Sequence, residues 1–232
     1  ACLPLLRLRG MAEPVLAHAG APVDRATRWR LLPVGLNAFL IGAGAGLVIP
    51  FMNLYFANRF GCSSGQIGFY FSMAAVLTAV ASLVGPAVAR RFGMLRTAVA
   101  AQVLSLPFLV TLGTETRLGV AVGAFWMRAT LMQASTPLVQ TFVMEAFPPS
   151  LRARSASLIT LVWNAGWAVS ATLSGIIIQR FGYHVPFYIT AVLYALAAST
   201  FYLSFRHMPV SEAARRGPER MERPHGEGPL AD

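Results

Sequence analysis

The stretch VGAFWMRATLMQASTP, residues 122–137, is apolar enough to lie inside a lipid bilayer, yet it carries Arg128 near its middle. An arginine side chain stays charged, so within a membrane it must face neighbouring helices, a wet cavity or the bilayer surface. The first two of these require other helices. The stretch therefore predicts a bundle of transmembrane helices.

Composition extends this prediction to the whole chain. Of the 232 residues, 56% are hydrophobic and 12% are charged, and the mean hydropathy is +0.58. A soluble domain has about 25% charged residues. The net charge of +10 does not indicate nucleic-acid binding, because the arginines collect at the chain ends and between apolar runs, as they do in membrane proteins. We expect a lipid-embedded protein with no nucleic-acid partner.

Six stretches are long enough to cross the roughly 30 Å of bilayer hydrocarbon. Short links rich in turn-forming residues separate them, so consecutive helices are expected to be antiparallel. The predicted fold is all-α, with six transmembrane helices in a domain at 30–206. A disordered cytoplasmic leader at 1–29 and a disordered cytoplasmic tail at 207–232 are expected to flank it. The six stretches are 31–57, 66–89, 94–113, 118–146, 155–179 and 184–205.

The arginines predict the orientation of the chain. Fifteen of them fall on the side of the two termini, whereas Arg59, Arg117 and Arg180 fall on the other side. Basic residues concentrate on the cytoplasmic side of membrane proteins, so both termini are expected in the cytoplasm. We expect a multi-pass protein of a cell membrane, of the bacterial inner-membrane type.

Several spans carry polar residues on one helical face. Such residues in a membrane either bond to a neighbouring helix or line a wet cavity. A glycine stripe in the first span, at Gly35, Gly42 and Gly46, favours plain helix packing instead. The two tryptophans of the fifth span lie far from the membrane interface, which favours a cavity there. The candidates for lining a path are Asn53, Arg128, Gln133, Gln140, Asn164 and Trp167.

Arg128 and Gln133 predict different roles for the fourth span, because they lie about 140° apart around a helix. If the Gln133 face lines a cavity, Arg128 is buried between helices. If Arg128 lines it, the Gln133 face packs against a neighbour. The two faces are not expected to line the same cavity, and the sequence leaves this choice open.

The first and fourth spans share a weak internal repeat. IPFMNLYF at 49–56 has a proline followed three residues later by Asn53, and TPLVQTFV at 136–143 has a proline followed three residues later by Gln140. An aromatic residue follows at matched spacing in both. With three helices between their starts, the two segments would run in opposite directions. This predicts two inverted three-helix repeats.

Two links also resemble a known family. GPAVARRFGMLRT, residues 85–97, resembles the signature loop of major facilitator superfamily transporters, with Arg90 at the position of the family's acidic residue. EAFPPSLRARSASL, residues 145–158, resembles the second cytoplasmic loop of that family. The opening at 46–72 resembles the first or seventh helix and its external loop. The resemblance covers about 30–205 and is closest to the C-terminal six-helix half of a twelve-helix transporter.

The resemblance implies secondary transport by alternating access, with two bundles rocking about a midplane site. It implies a small-molecule solute, the lipid bilayer and a second six-helix half as partners, and no cofactor. Incompleteness is also suggested by the first residue, which is Ala and not Met, and the leader would be a remnant of the central loop. The residues implied for a cytoplasmic latch are Arg90, Arg91, Arg96, Glu145, Arg152 and Arg154.

Other functions stay open at this stage. A half-bundle could be a non-transporting protein that assembles with another half. A six-span intramembrane enzyme is disfavoured, because Ser174 has no histidine at matching depth and no metal-binding motif occurs. The amides and indoles suit uncharged organic solutes, whereas Arg128 alone favours an anion. No carboxylate lies at mid-depth, so for a proton-coupled carrier it is expected in the other half.

Overall fold

The computed structural model describes residues 25–146 and 149–206, with side chains described over 31–141 and 155–206. These residues form helices and no strand, which confirms the predicted all-α class. The predicted tail and residues 1–24 of the predicted leader lie outside the described residues. The helices are α1 (Arg25–Val48), α2 (Met52–Phe60), α3 (Ser64–Phe92), α4 (Met94–Thr114), α5 (Leu118–Ala146), α6 (Pro149–Phe181) and α7 (His184–Phe205).

Five segments of the described residues are long and apolar enough to cross a membrane: Leu31–Phe60, α3, α4, Ser155–Phe181 and α7. The described part of the chain is therefore all-helical and has the long apolar segments of a multi-pass membrane protein. At 29 residues, α5 is as long as α3. It is not among the five segments, and it carries Arg128 and Gln133 in its middle.

The first predicted span is broken into two helices. α1 ends at Val48, a 3₁₀ turn occupies Ile49–Phe51, and α2 begins at Met52. Pro50 lies in this turn and has no N–H group to donate to a continuous α-helical ladder. The predicted single span is present as the segment Leu31–Phe60, and the structure adds a local change of helix type at the proline.

The short links follow from local sequence chemistry. Three Arg-Phe-Gly sequences each end a helix, and their glycines Gly61, Gly93 and Gly182 have φ values of 65°, 91° and 83°. Residues with a Cβ rarely adopt these angles, so glycine is the residue expected at such ends. α3 begins with a capping box, in which the Ser63 hydroxyl and the Gln66 side chain each accept a bond from the other residue's backbone N–H.

Apart from the short α2, the helices pack as two groups of three. α1 contacts α6 and α7, which contact each other, and α5 contacts α3 and α4, which contact each other. A contact between α4 and α7 joins the two groups.

The α1–α6 contact is backbone to backbone. A Cβ added to Gly42 would collide with the carbonyl oxygen of Trp163, and one added to Gly166 would lie 2.7 Å from that of Phe39. Gly46 likewise abuts the carbonyl of Trp167. The packing interpretation is confirmed for Gly42 and Gly46, whereas Gly35 has open space around it.

Candidate functional site

A cavity of about 770 Å³ lies between the α1/α6 pair and the α3/α5 pair. Most of its lining is apolar, from small residues such as Ala38, Ala74 and Ala129 and from the rings of Phe71 and Phe125. α4 and α7 each contribute a polar side chain. The size and the mixture of apolar wall with a few polar groups are typical of small-molecule sites. The polar lining residues are Asn37, Thr78, Gln102, Arg128, Gln133, Ser135, Thr136, Gln140, Thr160 and Tyr194.

The structure brings Arg128, Gln133 and Gln140 to this one cavity. The expectation that the Arg128 and Gln133 faces could not share a cavity is therefore wrong. Lining residues run along α5 from Phe125 to Gln140 in two adjacent rows. At 100° per residue they cover about 160° of the helix circumference. Arg128 lies near one edge of this arc and Gln133 at the other.

Arg128 lies at the packed edge of the arc. Only 4% of its surface is exposed, and its neighbours Ala121 and Ala124 on the same helix face are buried. One guanidinium nitrogen donates a hydrogen bond to the Tyr194 hydroxyl at 3.3 Å. The Nε atom is buried and has no hydrogen-bond partner. The cation is thus held between helices and also borders the cavity. The two alternatives predicted for Arg128, burial between helices and lining of a cavity, therefore each apply in part.

Tyr194 reaches Arg128 because α1 leaves room for its ring. A Cβ added to Gly44 would lie 2.6 Å from the Tyr194 Cε1 atom. One turn earlier on α7, Thr190 donates from its hydroxyl to the Gly44 carbonyl at 3.0 Å. This bond fixes α7 against α1 at the depth of the tyrosine. Gly44 is therefore a packing residue that sets the position of the Arg128–Tyr194 pair.

Gln102 is a cavity residue that the sequence reasoning missed. It is 2% exposed on α4, and its Oε1 atom has no hydrogen-bond partner. A lone amide inside an apolar span is the signal that could have found it. Tyr194 carries the same kind of signal, because it places a hydroxyl in the middle of α7.

The remaining path candidates lie outside the cavity. On α6 the lining residues are Ile159, Thr160 and Trp163. Asn164 is exposed and donates to the Thr160 carbonyl at 2.8 Å. The Trp167 ring contacts that of Trp163 at a tilt of 33°, with ring centroids 5.1 Å apart. Asn53 is exposed on α2. The tryptophans of α6 therefore indicated a cavity beside this helix. The indole that lines it is that of Trp163, one turn before Trp167.

The sequence model of the Major Facilitator Superfamily matches residues 34–229 of this chain. This match covers most of α1 and all of α2 to α7. The chain belongs to the Major Facilitator Superfamily. A curated relative, the niacin transporter NiaP of Acinetobacter baylyi (strain ATCC 33305 / BD413 / ADP1), is 38% identical over 53 residues. Those residues are 23% of this chain and 12% of the relative. The chain is therefore a membrane protein of this superfamily, and its match spans only a small part of the length of this relative.

The candidate nucleophile Ser174 has a structural role in this superfamily bundle. Its side chain is fully buried, and its hydroxyl donates to the Leu47 carbonyl of α1 at 2.6 Å. Among the described residues, no group of three histidine, cysteine or acidic side chains could hold a metal ion.

The residues of the predicted latch lie at the helix ends that flank two links. Three arginines are exposed around Gly93, the single residue between α3 and α4. The guanidinium carbon of one of them, Arg91, lies 5.5 Å from the ring centroid of Phe92. The side chains of the other three residues, near the α5–α6 link, lie outside the described residues. In chain order the six are Arg90, Arg91, Arg96, Glu145, Arg152 and Arg154.

At the opposite end of α3, an aromatic cluster closes the superfamily bundle. Tyr55 is buried, its hydroxyl donates to the Leu112 carbonyl at 2.7 Å, and its ring centroid lies 5.1 Å from that of Phe187. Nearby, Arg59 donates two bonds to the Glu115 carbonyl at 3.1 and 3.2 Å. We call this region the aromatic end; it comprises Tyr55, Phe56, Arg59, Phe60, Tyr183 and Phe187.

The Glu115 carboxylate orders the link that follows α4 at this end. Backbone N–H groups of Arg117 and Thr116 donate to it at 2.9 Å each, and these bonds hold the pKa of Glu115 below its ordinary value. The carboxylate thereby stays ionised beside the first turn of α5, where a negative charge is favourable.

Proposed function

We propose that this chain forms one six-helix half of a secondary transporter that moves a small organic solute by alternating access. The observation that carries the proposal is the cavity between the α1/α6 and α3/α5 pairs, which concentrates polar side chains in the middle of otherwise apolar spans. Midplane sites at the junction of helix pairs are the expected location for solute binding in transporters.

The pattern of helix contacts supports two inverted three-helix repeats. If α1–α2, α3 and α4 form one repeat and α5, α6 and α7 the other, each contact among α1, α3, α4, α5, α6 and α7 given above has a counterpart. The α1–α6 contact corresponds to α5–α3, α1–α7 to α5–α4, and α6–α7 to α3–α4. The α4–α7 contact corresponds to itself. This arrangement requires α5 to cross the membrane as a sixth span, with Arg128 and Gln133 turned to the cavity and not to lipid.

The exposed cavity residues support a second half as partner. Gln133, Thr136, Gln140 and Thr160 are exposed in the chain alone, although all lie well inside long helices. Polar groups at that depth are unfavourable against lipid. A second six-helix half, from the same or a separate chain, would cover them and supply the opposite wall. The family's half most similar to this chain is the C-terminal one.

We place the aromatic end on the external side and both termini in the cytoplasm of a bacterial-type inner membrane. The arginine count supports this orientation. The exposed arginines around Gly93 then face the cytoplasm. There, with Glu145, Arg152 and Arg154, they would form the latch that opens and closes as the halves rock.

Niacin, the solute in the relative's name, is the first solute to test. The cavity is wide enough for a molecule of that class. The described lining contains no carboxylate that could carry a proton. A proton-coupled carrier would therefore take its coupling group from the other half.

Solute uptake into membrane vesicles tests this function. The chain is expressed alone and joined to whatever coding sequence precedes residue 1, and a panel of radiolabelled organic solutes is offered, nicotinate first, with and without a pH gradient. We expect uptake of at least one solute above empty vesicles in one of the two forms. The double variant Gln133→Leu and Gln140→Leu should lower that uptake at least tenfold.

The matched control is Thr172→Val, which alters an exposed polar residue of α6 outside the cavity that bonds only within its own helix. Uptake should be unchanged in this variant. A folded bundle that moves no solute of the panel in either form would contradict transport and favour a non-transporting assembly protein. Equal losses in the control and the double variant would contradict the assignment of the cavity.

A further inference from the structure

We infer that the cavity binds a small organic monoanion, with a carboxylate or similar group held by Arg128 beside Tyr194 and Gln102. The inference rests on the proposed function, because it assigns a substrate class to the same cavity. It is carried by unpaired donors and acceptors in the cavity wall and by the location of the acidic residues in the chain.

Arg128 has more donors than partners. Its guanidinium carries five N–H groups and keeps its charge, yet the structure gives it one hydrogen bond, to the neutral Tyr194 hydroxyl. Its Nε atom is buried without a partner, and the side chain borders the cavity. Unpaired buried donors on a permanent cation are costly, so a site that keeps them is missing an acceptor.

The rest of the bundle does not provide the missing negative charge. Of the nine acidic residues, only Glu115 and Glu145 fall between residues 25 and 206. Glu115 lies in the link before α5, where its carboxylate accepts from two backbone N–H groups. Glu145 follows Arg128 by 17 residues on the same helix, about 25 Å along the axis. The described cavity lining contains Arg128 as its only charged residue.

The rest of the lining selects the kind of anion. One guanidinium balances one negative charge, which favours a monoanion over a phosphate ester or a dicarboxylate. The wall around it is apolar and includes Ile41, Phe71, Phe125 and the Trp163 indole. An apolar wall favours a ligand with an apolar or aromatic body over an inorganic ion. Its volume of about 770 Å³ also exceeds what a single inorganic ion fills.

Gln102 adds a second point of recognition. Its Oε1 atom is buried in the same wall without a partner. After a rotation of the Gln102 side chain toward the cavity, a bound molecule that presents an N–H or O–H group toward α4 would satisfy this acceptor while its carboxylate contacts Arg128. The cavity is therefore built to fix both the charge and the orientation of the solute.

Equilibrium binding to the purified full chain in detergent tests the inference. Two pairs of ligands are compared, each with one charged and one neutral member. The probes are nicotinate with nicotinamide, and benzoate with benzamide, in which each carboxylate has a neutral analogue of nearly the same shape. We expect saturable binding of the carboxylates and at least tenfold weaker binding of the amides. Arg128→Gln should remove this preference, and Tyr202→Phe, which alters an exposed tyrosine on α7, should keep it.

If Arg128→Gln fails to fold, the binding of the four probes to the unmodified chain alone tests the inference. Amides that bind as tightly as the carboxylates would overturn the monoanion assignment and leave a neutral-solute cavity, so the proposed transport would stand. Chloride that competes as well as the carboxylates would overturn the organic ligand in favour of an inorganic-anion site. An absence of binding by all four probes would also overturn the inference, while the uptake panel decides transport separately.

Discussion

The aromatic end and the cavity use polar groups in opposite ways. At the aromatic end, the Tyr55 hydroxyl and the Arg59 guanidinium each donate to a carbonyl oxygen on or next to α4. The adjacent Asn58 of α2 donates from its amide to the Tyr183 hydroxyl of this region. In the cavity, the Arg128 Nε and Gln102 Oε1 atoms are buried and have no partner. Paired groups stabilise a fold, whereas unpaired ones reduce its stability.

The cavity also contains paired residues such as Asn37, and Thr97 and Thr130 have unpaired buried hydroxyls outside it. We therefore assign to a solute only those unpaired groups that belong to the cavity wall.

The largest effect is expected where the cavity wall depends on close backbone packing. Gly42→Ala would place a methyl group against the Trp163 carbonyl oxygen, which cannot rotate away. We expect the free energy of unfolding to fall by about 3 kcal/mol, measured as denaturation in mild detergent.

Gly35→Ala is the matched control on the same helix, because nothing lies within 4 Å of its added Cβ. It should not destabilise the protein, since alanine is the better helix former. If the two variants were equally stable, the close α1–α6 contact would not exist in the protein.

The next effect is expected at the aromatic end. Tyr55→Phe removes the donor to the Leu112 carbonyl and leaves that oxygen without its partner. We expect a loss of about 1–3 kcal/mol in the free energy of unfolding. Tyr202→Phe, at a tyrosine that is 40% exposed, should change it by less than about 0.5 kcal/mol. If Tyr55→Phe left the free energy of unfolding unchanged, it would contradict the contrast between the two regions.

The cavity should respond in the opposite direction. Gln102→Leu replaces a buried amide whose Oε1 atom has no partner, and apolar groups in such places are neutral or stabilising. We expect the free energy of unfolding to stay within about 1 kcal/mol of the unmodified chain, while solute uptake falls. A loss above about 2 kcal/mol would show that this amide holds the fold, as the polar groups of the aromatic end do.

The smallest effect is expected at the latch. If Glu145 pairs with an arginine of the α3–α4 link, Glu145→Arg should slow solute uptake, and adding Arg90→Glu should restore it. An exposed ion pair contributes up to about 1 kcal/mol, which corresponds to at most about a fivefold change in rate. Uptake rates in vesicles at low and high salt would measure it. A double variant as slow as the single one would exclude this pairing.

Much of the fold follows from the sequence, because hydrophobic length and turn chemistry are local properties. The helices at 94–113 and 184–205 are present within one residue at each end. The Arg-Phe-Gly links end three helices as their composition predicts. The break at Pro50 was not predicted, since a proline in a membrane helix can be accommodated by a bend or by a change of helix type.

The candidate site was less predictable, because it depends on how helices face each other. Arg128, Gln133 and Gln140 were found from polarity alone, and the structure brings them to one cavity. Gln102 and Tyr194 were not predicted, because neither belongs to a helical face with several polar residues. Arg128 and Gln133 were predicted to face different surroundings because they lie about 140° apart on α5. The cavity nevertheless borders nearly half of the circumference of this helix, so it includes both.

One measurement tests most directly whether the cavity is a water-filled path. The native thiols Cys2 and Cys62 are replaced by serine, and single cysteines are introduced by Thr136→Cys or Leu83→Cys. Thr136 lines the cavity 18 residues after the start of α5 at Leu118. Leu83 is 82% exposed, outside the cavity, and lies 19 residues after the start of α3 at Ser64.

The two positions are thus equivalent in depth, because the short links on either side of α4 imply that α3 and α5 run in the same direction. The rate of modification by a water-soluble, membrane-impermeant thiol reagent in membrane vesicles is then compared. A reactive thiolate forms only in contact with water, so we expect the cysteine at position 136 to react at least tenfold faster. Equal rates, or faster reaction at position 83, would contradict a solute path through this cavity.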